Sequence, residues 1–315
     1  MGIHVAIVGA GIAGLAAARL LGEAGIASTI FEKSRGLGGR MATRRVDAWQ
    51  FDHGVQYFTA RGARFAALAE TWRKDGHAAE WFDGAFVGTP GMTAPARAMA
   101  KGVDVVVGSQ VLALRRAAAG WTLLSAEGPV DAPANGGFSA VLLAVPAPQA
   151  RPLADSAGVA FPTLADVRYA PCWALMLGFA ANPGPAPTHV RDRDGDVAWI
   201  ARNSSKPGRP SGIHTFVAHA GAGWSRRNLE LSADSAARDL CAHVRRRSGF
   251  SAEPVFAAAH RWRYALVENP VGTACLWDAA AGIGACGDWC LGPRVESAFD
   301  SGEALARNVL STLAT

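Results

Sequence analysis

Three glycines near the start of the chain carry the first chemical signal. Gly9-Ala10-Gly11-Ile12-Ala13-Gly14 has the form G-x-G-x-x-G, and Glu32 follows eighteen residues after Gly14. Gly9 permits a tight turn, Gly11 lets backbone come close to a pyrophosphate, and Gly14 lets a helix lie close on a strand. A carboxylate at Glu32 is placed to accept hydrogen bonds from adenosine ribose hydroxyls. That chemistry is dinucleotide binding, and it needs particular elements to hold it. Residues 3–8 form a short apolar run rich in β-branched side chains, as a strand buried on both faces requires. Residues 12–23 are rich in Ala and Leu and read as a helix ending before Gly25; residues 28–31 read as the next strand. The helix N-terminus then directs free N–H groups and partial positive charge at the phosphates.

A second match, Gly282-Ile283-Gly284-Ala285-Cys286-Gly287, lacks that setting. Asp278-Ala279-Ala280-Ala281 before it is not strand-like, and no helix opens at Ile283, so 283–286 reads as a late strand ending in Gly287-Asp288. What surrounds the first motif separates NAD from FAD. Ser34-Arg35-Gly36-Leu37-Gly38-Gly39-Arg40 offers Gly-rich backbone and an arginine that can wrap a pyrophosphate and reach a flavin. Phe51–Phe58 supplies a second loop. Gly292-Pro293-Arg294-Val295-Glu296-Ser297-Ala298 opens a last helix whose N-terminal amides can face a flavin pyrimidine, and Asp288 can bind a ribityl or phosphate-side hydroxyl. A nicotinamide dehydrogenase does not need this returning segment.

These residues also resemble a known family. Lys33-Ser34-Arg35-Gly36-x-Gly38-Gly39-Arg40-Met41, Gln56-Tyr57-Phe58-Thr59-Ala60-Arg61 and Pro90-Gly91-Met92 come first. Trp199-Ile200-Ala201-Arg202-Asn203-x-Ser205-Lys206-Pro207 and His260-Arg261-Trp262-x-Tyr264-Ala265 follow. Cys286-Gly287-Asp288-Trp289-Cys290-Leu291, with Arg294-Val295-Glu296, comes last. Spread along the whole chain in family order, they resemble the bacterial renalase family, in the amine oxidase branch of the glutathione-reductase-type flavoproteins. The resemblance implies an α/β fold: a Rossmann-type FAD-binding domain with a mixed sheet-plus-helix substrate domain of the p-hydroxybenzoate-hydroxylase kind. It implies non-covalent FAD, with contacts at Ala13, Glu32, Lys33, Arg40, Gln56 and Tyr57. Val111 joins them on an adenine-flanking strand at 109–114, and Arg294, Val295 and Glu296 position the flavin. Against the family pattern, 81–90 reads as too short for a strand pair and its loop.

The same resemblance implies a reaction. A dihydronicotinamide dinucleotide reduced at C2 or C6 gives a hydride to flavin N5 and leaves as NAD(P)+, and O2 then becomes H2O2. Losing hydride makes an aromatic cation directly, so no general base is needed. His260, Trp262, Arg263 and Tyr264 are the substrate-side candidates: an aromatic ring stacks on nicotinamide while His and Arg meet its amide or phosphates. Trp199 and Asn203 come next. Amine oxidation in relatives commonly uses a lysine-held water; Lys206 sits in Lys206-Pro207-Gly208-Arg209, which reads as an exposed loop. An FAD-dependent amine oxidase or other small-molecule oxidoreductase, and a non-catalytic FAD-binding protein, are the alternatives.

Composition bounds the rest. At 315 residues and 50% hydrophobic, the chain is not disordered, and five Cys are too few and odd for a disulfide scaffold. The net charge of +5 suits one or two anionic dinucleotides. Arg245-Arg246-Arg247 ends an expected helix, 232–248 with Ser232 as N-cap, where cations suit the dipole, so nucleic acid is not expected. No apolar run approaches the ~20 residues of a membrane span, and a cytoplasmic enzyme is expected. No metal-ligand spacing and no G-x-S-x-G elbow occurs; Cys286 and Cys290 read as packing residues. Strands are expected at 103–107, 111–115, 121–125, 141–146, 173–179, 197–201 and 213–218. The expected division is an FAD domain of 1–75, 94–150 and 276–315, interrupted by a substrate domain of 76–93 and 151–275.

Overall fold

His4–Val8 forms β1, and all but its first residue are buried. It pairs in parallel with β2 (Ala27–Glu32) and with β11 (Ala140–Leu143). β7 (Asp104–Val107), β17 (Leu276–Asp278) and β18 (Ile283–Ala285) complete a six-stranded sheet in the order β17-β18-β11-β1-β2-β7, with only β17 antiparallel. The structure is a computed structural model that describes residues 2–313 apart from 132, 134, 135, 185, 186 and 193.

The crossover from β1 to β2 is helix α1, Ile12–Glu23, with the expected bounds. Against it lies the last helix, α7 (Val295–Leu313). Small residues allow these close approaches. A Cβ on Gly14 would sit 2.1 Å from the Gly9 carbonyl oxygen, and one on Gly302 would sit 2.1 Å from that of Ala13. The second glycine motif of the sequence is the strand β18 and its exit, not a nucleotide turn. Its Cys286, like Cys290, is a buried free thiol; burial pushes Cys290 up to about 12, which suits packing rather than redox exchange.

A second sheet is antiparallel. It runs β13 (His189–Arg191), β14 (Val197–Arg202), β15 (His214–Ala220), β12 (Arg168–Phe179), β16 (Phe256–Asn269). α6 (Ala233–Ser248) covers one face, with Ala236, Leu240 and Val244 packed in a core with Trp173, Leu175 and Phe216. Ser232 caps it as expected, its Oγ accepting from the Ser235 N–H at 3.1 Å. At its other end Arg245 and Arg247 pair with Glu253 and Asp192, which consumes two of the three clustered charges. The opposite face of the sheet meets a hairpin, β3 (Arg44–Val46) and β4 (Trp49–Phe51), through Phe51, Met176 and Val217.

Two expectations need correction. A strand pair does form around 81–90, because it begins before 81: β5 (Ala78–Phe82) and β6 (Ala85–Gly88) form a hairpin turned at Asp83-Gly84. The tight turn saves the residues that a longer loop would use. The strand expected at 109–114 starts later, as β8 (Ala113–Ala117), and pairs with β9 (Gly120–Ser125) and β10 (Gly128–Pro129) in a separate sheet. Ser109 instead lies at the end of β2, its N–H donating to the Glu32 carbonyl at 2.9 Å, and Leu112 N–H already donates to Leu124 of β9 at 2.7 Å. Among the described residues, no helix is long and apolar enough to cross a membrane, and no cluster of His, Cys, Asp or Glu has metal-binding geometry.

Candidate flavin and substrate site

The glycine turn after β1 is locked by the acid at the end of β2. Glu32, 7% exposed, accepts from the Ala10 N–H at 2.9 Å with one oxygen and from the Ser34 N–H at 2.8 Å with the other. Gly9 takes φ +104, and its N–H donates to Phe31 at 2.8 Å. No side chain caps α1, so its first-turn amides are left for a ligand. A Cβ on Gly11 would meet nothing within 4 Å: the side of the turn where a pyrophosphate would lie is open. Gly38 and Gly39, both with positive φ, bring the next loop against this turn, the Gly38 N–H donating to Ala10 at 2.8 Å. Lys33 is exposed, and Val111 is buried beside Phe31.

Arg40 ties that loop to the end of the chain. Its guanidinium donates to both Asp288 oxygens, at 2.8 and 2.6 Å, and to the Ala265 carbonyl at 3.2 Å. Burial opposes its charge, and Asp288 more than restores it. At the start of α7, Glu296 accepts from the Arg61 and Gly62 N–H groups at 3.0 and 2.5 Å. Its other oxygen and the Ser297 hydroxyl are buried with no partner, beside Val295 and close to Arg294 in sequence. Buried polar atoms are normally satisfied. An uncapped helix start, an open glycine turn and these orphan groups together fit a bound dinucleotide.

A second polar centre lies between β4, the 53–58 loop and the second sheet. Asp52, fully buried, accepts from Thr43 Oγ1 at 2.8 Å, Met92 N–H at 3.0 Å, Arg209 at 2.5 Å and Lys206 at 3.3 Å. Lys206 also donates to Gln56 Oε1 at 3.2 Å, and Gln56 donates to the Asp52 carbonyl at 2.5 Å. Asn203 donates to the Gln50 carbonyl at 2.9 Å. The expectation of an exposed Lys206 is therefore overturned, since it is 2% exposed. Its burial depends on a carboxylate 154 residues earlier, which local composition does not show. Burial raises the Asp52 carboxyl, but Lys206 and then Arg209 outweigh it and hold it well below the usual carboxylate range. Burial lowers Lys206 to about 8 against the pull of Asp52. With Lys206 protonated, two cations face one anion.

Beside this centre His53 organises an aromatic face. Its carbonyl accepts from Trp262 Nε1 at 3.0 Å and lies 3.2 Å from His219 Nε2. The Trp262 ring stacks near His53 at 5.1 Å, and His260 meets His53 edge-on at 4.8 Å. Burial lowers His53 to about 3 and His219 to about 4, so both are neutral at physiological pH. A Cβ on Gly54 would lie 2.0 Å from the Arg40 carbonyl oxygen and 3.3 Å from Trp262, so this loop is pressed between the Arg40 backbone and β16.

The structure thus brings His260 and Trp262 together with the Gln56 loop. Arg263 is not in this cluster: side chains alternate along a strand, and Arg263, with Arg261, meets Glu230 on the exposed face at 2.7 Å. Tyr264 packs edge-on against Tyr169 at 5.4 Å. Tyr57 lies with Phe82 and Trp199, and its hydroxyl accepts from Arg191. Sequence reasoning missed Asp52, Arg209 and Arg191. The scarcity of lysine was one usable signal for Lys206, since only four occur in the chain.

A Rossmann-type sheet carrying this cradle, joined to an antiparallel sheet, defines a flavin-dependent oxidoreductase of the α/β class. The chain matches the NAD(P)-binding Rossmann-like domain over residues 7–80 and the flavin containing amine oxidoreductases over 72–310. It belongs to the flavin containing amine oxidoreductase family, and its cofactor is FAD. Among curated proteins it is similar to an L-amino-acid oxidase of Siganus canaliculatus, 43% identical over 70 residues, which is 22% of this chain and 13% of that protein. It is also similar to a 4,4'-diapophytoene desaturase of Staphylococcus haemolyticus, 50% identical over 52 residues, 16% of this chain and 10% of that one. The match thus spans about a tenth of the length of these relatives. Among solved structures it resembles a protein named as a candidate protoporphyrinogen oxidase from Exiguobacterium sp. 255-15, with TM-score 0.75, 13% identity and full coverage of both chains. Cyclohexylamine oxidase from Brevibacterium oxydans follows at 0.72 and 12%, again covering both chains fully. Putrescine oxidase with putrescine bound gives 0.68 and 16%, covering 99% of each. At these identities the likeness is one of fold.

Proposed function

We propose that this enzyme oxidises 2- and 6-dihydro isomers of NAD(P) to NAD(P)+, with O2 as electron acceptor and H2O2 as the second product. FAD, when bound, supplies hydride acceptance and the return of electrons to O2. The observation that carries the reading is the charge and occupancy of the buried centre. Asp52 is engaged by four donors and Lys206 by two acceptors, so neither is a free general base. Hydride loss from a dihydropyridine needs none. Lys206 and Arg209 outnumber Asp52, which disfavours an ammonium substrate and tolerates an anionic dinucleotide. His53, His260 and Trp262 present a mostly neutral aromatic face on which a nicotinamide ring can lie.

Tyr264, Tyr57 and Trp199 extend that face in this reading, with Arg263 outside it. Ala13, Glu32, Lys33, Arg40, Gln56, Val111, Asp288 and the start of α7 hold the cofactor without a covalent bond. The domain division of 1–75, 94–150 and 276–315 against 76–93 and 151–275 belongs to the same proposal. Support comes from the two sheets, whose strands fall on either side of those bounds. The free cysteines support a reducing, cytoplasmic setting.

Amine oxidation is the second reading, and the burial of Lys206 favours it. Aerobic turnover separates the two. The first reading expects equal amounts of NAD(P)+ and H2O2 from the 2- or 6-dihydro isomer and none from amines. Peroxide from amines alone would replace it with the second.

A further inference from the structure

Behind the loop that donates to Asp52 lies a groove of about 190 Å3 with an unusual charge pattern. Arg45, His77, Arg97 and Lys101 line it, and no Asp or Glu does. None of the four side chains makes a hydrogen bond or ion pair among the described residues. The local sequence has the same bias: residues 84–103 contain Arg97 and Lys101 and no acidic residue. Arg97 lies in the last turn of α3 (Ala94–Met99) and Lys101 two residues beyond it, so two like charges stand together at that helix end. Arg45 reaches the same groove from the β3–β4 hairpin.

A second groove of similar size, about 220 Å3 between α1, α2 (Ala63–Lys74) and α7, shows the ordinary solution. There Arg64 is answered by Glu303 at 2.5 Å, and Glu23 lines the wall with Arg19. The charge in the first groove is left unanswered. Its hydroxyls face inward: Thr89 donates to Gly76 at 2.6 Å and Thr93 to Met41 at 3.3 Å. Recognition there would fall to nitrogen donors, and several clustered guanidinium and ammonium groups suit a multiply charged oxyanion such as phosphate.

We propose that this groove binds a phosphate-bearing small molecule, through Arg97, Lys101 and Arg45 with His77 at the rim. The site is separate from the flavin cradle and from the aromatic face around His53. Its floor adjoins both loops that hold Asp52. Met92 N–H of the 88–93 loop donates to Asp52, and a Cβ on Gly208 would lie 3.2 Å from Thr89.

Calorimetric titration of the FAD-loaded enzyme at low salt tests it, with inorganic pyrophosphate and with ADP as probes. Saturable binding is expected, weakening with salt. The double variant Arg97→Ala/Lys101→Ala is expected to weaken it by about ten-fold or more while keeping its flavin absorbance. Arg64→Ala, in the second groove, should leave it unchanged. Tighter binding of ADP than of pyrophosphate would identify a nucleotide as the occupant; equal binding would identify the free anion. Absence of saturable binding to the wild-type holoenzyme, or equal binding by the double variant, would overturn the proposal.

Discussion

At the scale of single residues, the buried centre makes opposite predictions for its partners. Asp52→Asn leaves Lys206 and Arg209 buried without a counter-charge and should cost about 3–5 kcal/mol in urea unfolding. Lys206→Met leaves one arginine paired with one carboxylate and should cost far less. The pH dependence follows from Lys206, whose folded value of about 8 lies below that of the free chain. Between those two values the unfolded chain binds the extra proton, so this group makes stability rise as pH increases through that window. The rise should vanish in Lys206→Met. A spectral or kinetic transition near pH 8 should vanish with it, because His53 and His219 are already neutral there. Persistence of the transition in that variant would assign it elsewhere. Arg40→Ala should lower FAD affinity by about ten-fold or more, since it leaves Asp288 buried without its bidentate partner; ultrafiltration of released FAD measures this.

At the scale of elements, the α1–α7 contact depends on absent side chains. Gly302→Ala would drive a methyl into the Ala13 backbone and should cost about 1–3 kcal/mol. Gly22→Ala, on the exposed end of α1 with nothing within 4 Å, should instead stabilise by about 0.5–1 kcal/mol. Denaturant midpoints of the two variants should therefore move in opposite directions. The β1–α1–β2 unit was readable residue by residue because its information is local: glycine spacing, apolar run and terminal acid lie within about thirty positions. Ser232 was readable for the same reason. The Lys206 segment was not, because its Pro and Gly describe a turn whether or not Asp52 waits behind it. On β16 the candidates His260, Trp262, Arg263 and Tyr264 lie close in sequence, whereas strand alternation divides them between two faces. Arg263 could have been set apart on that ground alone.

At the scale of the whole molecule, the proposed FAD site joins segments far apart in sequence. The proposed cradle draws on residues 9–14, 32–40, 56–62 and 288–297, so a dinucleotide bound there would couple both ends of the chain. A ligand present at about 1,000 times its Kd stabilises by about 4 kcal/mol. Removal of FAD should therefore lower Tm, and added FAD should restore it in a saturable way; an unchanged Tm would argue against that coupling. The net charge of +5 takes on a specific meaning at this scale. Part of it lies buried around Asp52, and part lies unanswered in the groove beside α3.

The central claim is that the aromatic face beside the flavin cradle receives a dihydronicotinamide ring. Rapid anaerobic mixing of the oxidised holoenzyme with 2- or 6-dihydroNAD(P) tests it within a single turnover. The account predicts loss of the yellow flavin colour with one equivalent of NAD(P)+ released per FAD, and no such loss with amines. A flavin that stays oxidised with both isomers, while an amine bleaches it, would contradict the account.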